Sequence, residues 1–278
     1  SPYITIYKRS GDTFTKLTDP AILPAGNGRG VAFDSTGTYL AVAHEGSPYI
    51  TIYKRNGDTF TKLSNPSTLP TGAGYGVAFD PTGTYLAVAH GTSPYITIYK
   101  RSGDTFTKLT DPATVPTGTG YGVAFDPTGT YLAVAHGTSP YITIYKRSGD
   151  TFTKLTNPAT VPTGIGYGVA FDSTGTYLAV AHNTSPRITI YKRSGDTFTK
   201  LTDPATVPTG TGYGVAFDPT GTYLAVAHGT SPRITIYKTT LSCISSNLVS
   251  DLSGTIKAGY AKESGIAGEN KKIVVIFR

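Results

Sequence analysis

Apolar and polar residues alternate in short runs along this chain, and the runs recur. In residues 95–100 (YITIYK) the alternation and the β-branched Ile96, Thr97 and Ile98 predict a strand. The RSGD that follows (101–104) has turn chemistry, and TFTKL (105–109) is a second strand. DPATVPTGTGYG (111–122) reads as a long Pro/Gly loop. VAF (123–125) and TYLAVAH (130–136) are two further strands around the tight turn DPTG (126–129), and GTSP (137–140) leads into another copy of the same pattern. No segment holds a helical period long enough for a helix–strand solenoid.

The copies are evenly spaced. SPYITIYK begins at Ser1, Ser47, Ser93 and Ser139, and SPRITIYK begins at Ser185 and Ser231, 46 residues apart each time. Five repeats therefore fill 1–46, 47–92, 93–138, 139–184 and 185–230, and 231–238 opens a sixth. Four short strands per unit of this length predict a propeller blade. The expected fold is all-β: a five-bladed β-propeller of four-stranded blades over 1–238, with a short β extension over 239–278.

GYGVAFDPTGTYLAVAH followed by YITIYK resembles the blade motif of WD-repeat and YVTN-type β-propellers, with FDPTG matching their F-x-P-x-G turn. The resemblance covers 1–238. It departs from true WD repeats, since no Trp-Asp ends the third strand and no Gly-His opens the blade. It implies that GVAF is the innermost strand A, TYLAVAH is B, YITIYK is C and TFTKL is the outer strand D. The chain then starts on a C strand. Closure is expected to set residues 3–17 beside 214–228, with 232–238 as a surplus C strand that could replace the N-terminal copy or lead into the tail. A six-bladed ring completed by the tail is the alternative. In the tail, TIKAGYAK and KKIVVIFR read as strands, and a lone hairpin of this kind needs a surface to dock on. It is expected to mediate homo-oligomerisation. GYAKESGIAGENKKIVVIFR resembles C-terminal segments of phage and prophage structural proteins, which implies a virion-associated adhesin and an extracellular or virion location.

Composition narrows the classes. Charged residues are 15% of the chain, and 33 Gly and 19 Pro exclude long helices and coiled coils. The 20 Tyr and 11 Phe argue against disorder. Cys243 stands alone, so the fold must form without an internal disulfide. The absence of Met, even as initiator, is expected of a fragment or a processed form. No apolar run reaches the length of a membrane span, so no membrane insertion is expected. Net charge is +7, yet the third repeat sets Lys100, Arg101 and Lys108 against Asp104, Asp111 and Asp126, which cancel. A specific nucleic-acid partner is therefore not expected.

Few residues suggest chemistry. His44, His90, His136, His182 and His228 share one repeat position at the end of strand B and read first as strand-end residues bonded to the adjoining loop. Five copies one strand out from the axis are too spread for one ion, so no metal and no cofactor is expected. Asp34, Asp80, Asp126, Asp172 and Asp218 open the A–B turn, where an Asx side chain bonds the backbone. Gly118-Thr119-Gly120-Tyr121-Gly122 suggests a nucleotide loop, but no helix follows; it reads as a flexible blade-to-blade crossing. With near-perfect symmetry and no unique nucleophile–base pair, an enzyme is not expected.

Variation among the copies is the best clue. Thirteen of the 46 repeat positions differ, and ten lie in the D–A or B–C loops, which share one propeller face. The most varied site reads Asn27, Ala73, Thr119, Ile165, Thr211, and two residues on come Arg29, Tyr75, Tyr121, Tyr167 and Tyr213. Loops drift more than strands, but the turns of the other face hardly change. Asn27, Arg29, Tyr75, Thr119, Tyr121, Ile165, Tyr167, Thr211 and Tyr213, with the five His, are thus the candidate ligand-binding residues. They predict a multivalent module of five related pockets for a cell-surface glycan or surface protein. A scaffold propeller whose tail mediates assembly is the alternative.

Overall fold

A computed structural model describes residues 2–239, and every regular element among them is a strand. The chain opens with a two-stranded hairpin, β1 (Tyr7–Ser10) and β2 (Thr13–Lys16). Four antiparallel four-stranded sheets follow. The first holds β3 (Gly28–Phe33), β4 (Tyr39–His44), β5 (Ile50–Asn56) and β6 (Thr59–Lys62). The second holds β7 (Gly74–Phe79), β8 (Tyr85–His90), β9 (Ile96–Ser102) and β10 (Thr105–Lys108); the third, β11 (Gly120–Phe125), β12 (Tyr131–His136), β13 (Ile142–Ser148) and β14 (Thr151–Lys154). The fourth is β15 (Gly166–Phe171), β16 (Tyr177–His182), β17 (Ile188–Ser194) and β18 (Thr197–Lys200). A three-stranded sheet, β19 (Gly212–Phe217), β20 (Tyr223–His228) and β21 (Ile234–Lys238), ends the series. The innermost strands β3, β7, β11, β15 and β19 pack side by side in that order. The fold is a five-bladed β-propeller.

Each blade is held by its neighbours rather than by itself. The B strands β4, β8 and β12 are buried along their whole length, because side chains on both faces meet another blade. Alternation sends Tyr39, Ala41 and Ala43 of β4, with Ile50 and Ile52 of β5, against Leu86, Val88, Tyr99 and Phe106 of the next blade. Small residues face large ones, so the sheets interdigitate. The contact recurs with Tyr85, Ile96 and Ile98 against Leu132, Tyr145 and Phe152. Full burial of a Leu, Ile or Phe in such a seam contributes about 1.5–3 kcal/mol.

The A–B turns form as the Asp positions predict. Asp80 Oδ1 accepts from the Tyr85 amide at 2.7 Å, Oδ2 accepts from Thr82 Oγ1 at 2.7 Å, and Gly83 takes the left-handed φ of +66° that a side chain would resist.

Two expectations need correction. The A strands begin at Gly120 and its equivalents, not at Val123, with a bulge between Gly120 and Gly122. The run is therefore the inner wall and not a flexible crossing. A Cβ on Gly122 would lie 2.6 Å from the Tyr167 carbonyl oxygen, so only glycine permits the close approach of adjacent A strands. The second correction concerns closure. It is β21, not residues 3–17, that pairs with β20, with Tyr223 opposite Lys238 and Ala227 opposite Ile234. β1 and β2 pair only with each other, and Ile4, Ile6 and Leu17 instead cover Leu40, Val42, Tyr53 and Phe60 of the first blade. The surplus strand is the nearer one in the chain, so it reaches β20 through a short connection. Among the described residues both ends of the blade series stay uncovered, with Val31 62% and Ile236 62% exposed.

The chain divides after Lys238. The expectations for strands, docking and oligomerisation in 240–278, and for Cys243, lie outside the described residues.

Candidate functional site

The D–A and B–C loops meet on one face, and backbone bonds clamp them together. The amides of Glu45, Gly91, Gly137, Asn183 and Gly229 donate to the carbonyls of Asn27, Ala73, Thr119, Ile165 and Thr211 at 2.9–3.2 Å. Thr71 Oγ1 donates to the Ser93 carbonyl at 2.8 Å, and the copies at Thr117, Thr163 and Thr209 do the same. The buried C-strand tyrosines hold the crossing from below: the Tyr99 hydroxyl donates to the Thr68 carbonyl at 3.0 Å. Burial pushes the Tyr53 phenol up to about 12 and raises that of Tyr99 further, so both remain neutral donors. The most varied residue of the repeat thus sits on a fixed backbone, and its side chain is free to change.

Two residues on, the tyrosines of the A strands come together. Between Gly120 and Gly122, Tyr121 stands on the inner wall, and its ring lies 5.4 Å from that of Tyr75 and 5.0 Å from that of Tyr167. Tyr167 and Tyr213 continue the series at 5.5 Å. Interplanar angles of 48–52° make it a tilted ladder along the inner strands. Burial, then the neighbouring Tyr167 and Tyr75 hydroxyls, raise the Tyr121 phenol above its ordinary value. Tyr75, Tyr121 and Tyr167 are half-buried, and Tyr213 at the end is 56% exposed.

Three of the rings also lean over the residue after their own blade's histidine. A Cβ on Gly91 would meet Tyr75 Cε2 at 3.3 Å, and Gly137 and Gly229 stand in the same relation to Tyr121 and Tyr213. The first blade replaces both partners. Arg29 stands where the tyrosine would be and Glu45 where the glycine would be, with Arg29 Nε donating to Glu45 Oε1 at 2.7 Å and Asn27 Nδ2 to Oε2 at 2.9 Å. Arg29 and Asn27 hold Glu45 below the usual carboxylate range. The paired change in the irregular first repeat is thus one contact exchanged for another.

The candidates separate into two groups. Tyr75, Tyr121, Tyr167 and Tyr213 form the ladder, and Asn27, Arg29, Thr119, Ile165 and Thr211 are half-buried or exposed around it. The histidines do not join them. His44, His90, His136 and His182 have no exposed surface, and each Nε2 lies 2.9–3.0 Å from a strand-C threonine hydroxyl, such as Thr143 for His136. The ring bond runs to the neighbouring strand, while the backbone amide bonds the adjoining loop, as His136 does to the Tyr141 carbonyl at 3.0 Å. Burial holds His90, His136 and His182 at about 4, well below the ordinary imidazole range, so they are neutral at physiological pH. None of these four rings has surface open to solvent.

The opposite mouth holds a cavity of about 410 Å³ lined by Phe33, Phe79, Phe125, Phe171 and Phe217. Its aspartates bond within their own turns, as at Asp80, and serines and prolines complete the lining. Among the described residues no group of His, Cys, Asp or Glu is arranged to hold a metal ion.

Sequence reasoning missed a further constellation, on the rim of that opposite face. The Tyr39 hydroxyl donates to Asp104 Oδ1 of the next blade at 2.6 Å, Lys54 Nζ donates to Oδ2 at 2.8 Å, and the Arg101 guanidinium lies 4.5 Å above the Tyr39 ring. The same lock forms at Tyr85–Asp150 and Tyr131–Asp196. The signal was present: the strand-B Tyr and the SGD aspartate never vary among the copies.

No protein-family model matches this sequence, and no curated protein does. Solved structures do resemble it. A "putative 6-phosphogluconolactonase" from Bacteroides uniformis superimposes with a TM-score of 0.66 at 14% identity, over 88% of this chain and 74% of that one. Hydrazine synthase of Kuenenia stuttgartiensis gives 0.66 at 16% identity over 84% and 70%. A functionally unknown protein from Desulfotomaculum acetoxidans gives 0.61 at 14% over 85% and 70%. The likeness is one of fold. Proteins with this architecture differ in function, so the site must carry the functional argument.

Proposed function

We propose that this chain is a non-enzymatic binding module whose tyrosine-lined mouth takes a cell-surface glycan. The β-propeller supports a binding or scaffold role, and the finer reading rests on one observation: Tyr75, Tyr121, Tyr167 and Tyr213 form a continuous ladder beside loops whose side chains change from copy to copy. Partly open phenol rings offer faces for the apolar side of a sugar and hydroxyls for its polar edge. Neighbouring rings share contacts, so the ladder is one extended surface and not five separate pockets. A chain of several sugar units suits it better than a single one. The resemblance of the C-terminal residues to phage structural proteins suits an adhesin of a virion or a cell exterior.

A glycan-array screen of the intact chain, including bacterial wall and capsule fragments, tests the reading. Tyr121→Ala is expected to weaken a hit by about 1–3 kcal/mol, as loss of a buried aromatic contact does, with the circular dichroism spectrum unchanged. Binding that survives Tyr121→Ala and Tyr167→Ala unaltered contradicts it. The likeness to a lactonase at 14% identity carries no activity to this chain; turnover of a phosphosugar lactone by the purified chain would overturn the non-enzymatic reading. The scaffold reading is favoured by a separate observation, the uncovered faces at the two ends of the blade series.

A further inference from the structure

Three rim locks form inside this chain, and the parts of another stand unused at its two ends. Within the locks, a strand-B Tyr and a strand-C Lys of one blade engage the hairpin Asp of the next, 65 and 50 residues on. The last blade has such a donor pair, Tyr223 and Lys238, both exposed, with no side-chain hydrogen-bond partner for the Tyr223 hydroxyl or Lys238 Nζ among the described residues. The N-terminal hairpin has the matching acceptor set. Asp12 sits in the β1–β2 turn with no side-chain bond among the described residues, Arg9 is exposed, and Phe14 stands at the repeat position that Phe106 holds beside Tyr39. Lys8 is already engaged with Asp58 of the first blade at 2.7 Å, so the hairpin is seated there by its other side.

The apolar surfaces match in the same way. Ile234 and Ile236 are 50% and 62% exposed, whereas Ile96 and Ile98 at the same repeat positions are 0% and 3%. Inside the chain those positions are covered by a tyrosine and a phenylalanine of the next blade, Tyr145 and Phe152 in that case. The hairpin's equivalents, Tyr7 and Phe14, are 57% and 66% exposed. One end therefore presents the donor half of the blade seam and the other end presents the acceptor half. Both are open among the described residues of one molecule.

We infer that the last blade is a docking site for the N-terminal hairpin of a second copy, and that copies associate head to tail. Ile234 and Ile236 pack on Tyr7 and Phe14 of the incoming chain, Tyr223 and Lys238 bond Asp12, and Arg9 lies over the Tyr223 ring. The seam continues from one chain into the next with the chemistry used inside each. The contact is heterologous: it closes into a ring of copies if the rotation allows and extends as a filament if it does not. No strand is displaced, because β21 keeps its place on β20.

Sedimentation of the full chain over a hundredfold range of concentration tests this. The weight-average mass is expected to rise with concentration. Ile236→Asp should abolish the rise, and Asp12→Lys or Lys238→Asp should each weaken association about tenfold. The double variant Asp12→Lys/Lys238→Asp should recover it, because the reversed charges meet again between copies. A mixture of the two single variants should recover association as well, because each variant's altered end meets an oppositely charged end of the other. Circular dichroism reports whether each variant is folded. A monomer at every concentration overturns the inference, as does association that none of these substitutions changes, or a double variant that fails to recover. None of these outcomes bears on sugar binding at the opposite face.

Discussion

At position 122 a side chain would stand where the next blade's backbone already is. Gly122→Ala puts a Cβ about 2.6 Å from the Tyr167 carbonyl, whereas the same change at Gly214, the equivalent position in the last blade, meets only the Ala227 Cβ at 3.9 Å. Two identical substitutions at one repeat position should therefore differ. Gly122→Ala is expected to cost about 1–3 kcal/mol in a denaturant melt, and Gly214→Ala to be neutral or slightly stabilising through the unfolded chain. Equal losses would mean that the last blade has a neighbour. The buried histidines give a second prediction. Their folded-state values, about 4 for His90, His136 and His182, lie below the 6.5 of the free side chain. The unfolded chain therefore takes up protons first as pH falls. Stability is full above pH 6.5, declines between 6.5 and 4, and levels off below that as far as these groups are concerned. The slope of unfolding free energy against pH in that window should flatten by up to one proton when His136 becomes Gln, provided the variant folds. The Asp turn residues were legible in the sequence because an Asx turn is a local motif. The histidines' threonine partners were not, because they lie across a strand pair whose register the sequence leaves open.

Elements this short do not hold themselves. β6, β10, β14 and β18 have four residues each, and what fixes them is the seam with the neighbouring blade, with a rim lock above β10, β14 and β18 and the Lys8–Asp58 pair at β6. Asp150→Asn should thus lower the melting temperature more than Asp12→Asn, because Asp150 accepts from Tyr85 and Lys100 while Asp12 has no side-chain partner among the described residues. A double-mutant cycle between Tyr85→Phe and Asp150→Asn should show coupling, and additive losses would place the stabilisation elsewhere. Alternation in YITIYK and TYLAVAH was enough to read strands B, C and D. Strand A was half-hidden, since Gly-Tyr-Gly has no strand propensity and takes its conformation from the walls on either side. Tyr39 and Asp104 lie far apart in sequence, so their bond became visible only once two blades were set side by side.

On the scale of the whole molecule, the 46-residue period was sufficient to give the propeller and its five blades. It could not decide which copy of strand C would pair with β20, since 3–8 and 233–238 are near-identical sequences and only chain connection distinguishes them. The loop face was legible as the variable one. That its tyrosines stack into one ladder was not, because ring-to-ring distance depends on how closely the inner strands approach. This last feature separates the present account from one of five equivalent pockets. Titration calorimetry of the intact chain with its best array glycan tests it most directly. Saturable binding is expected at fewer sites than there are repeats, lost in Tyr121→Ala while the protein stays folded. Five equal and independent sites per chain, or an isotherm that Tyr121→Ala leaves unchanged, would contradict it.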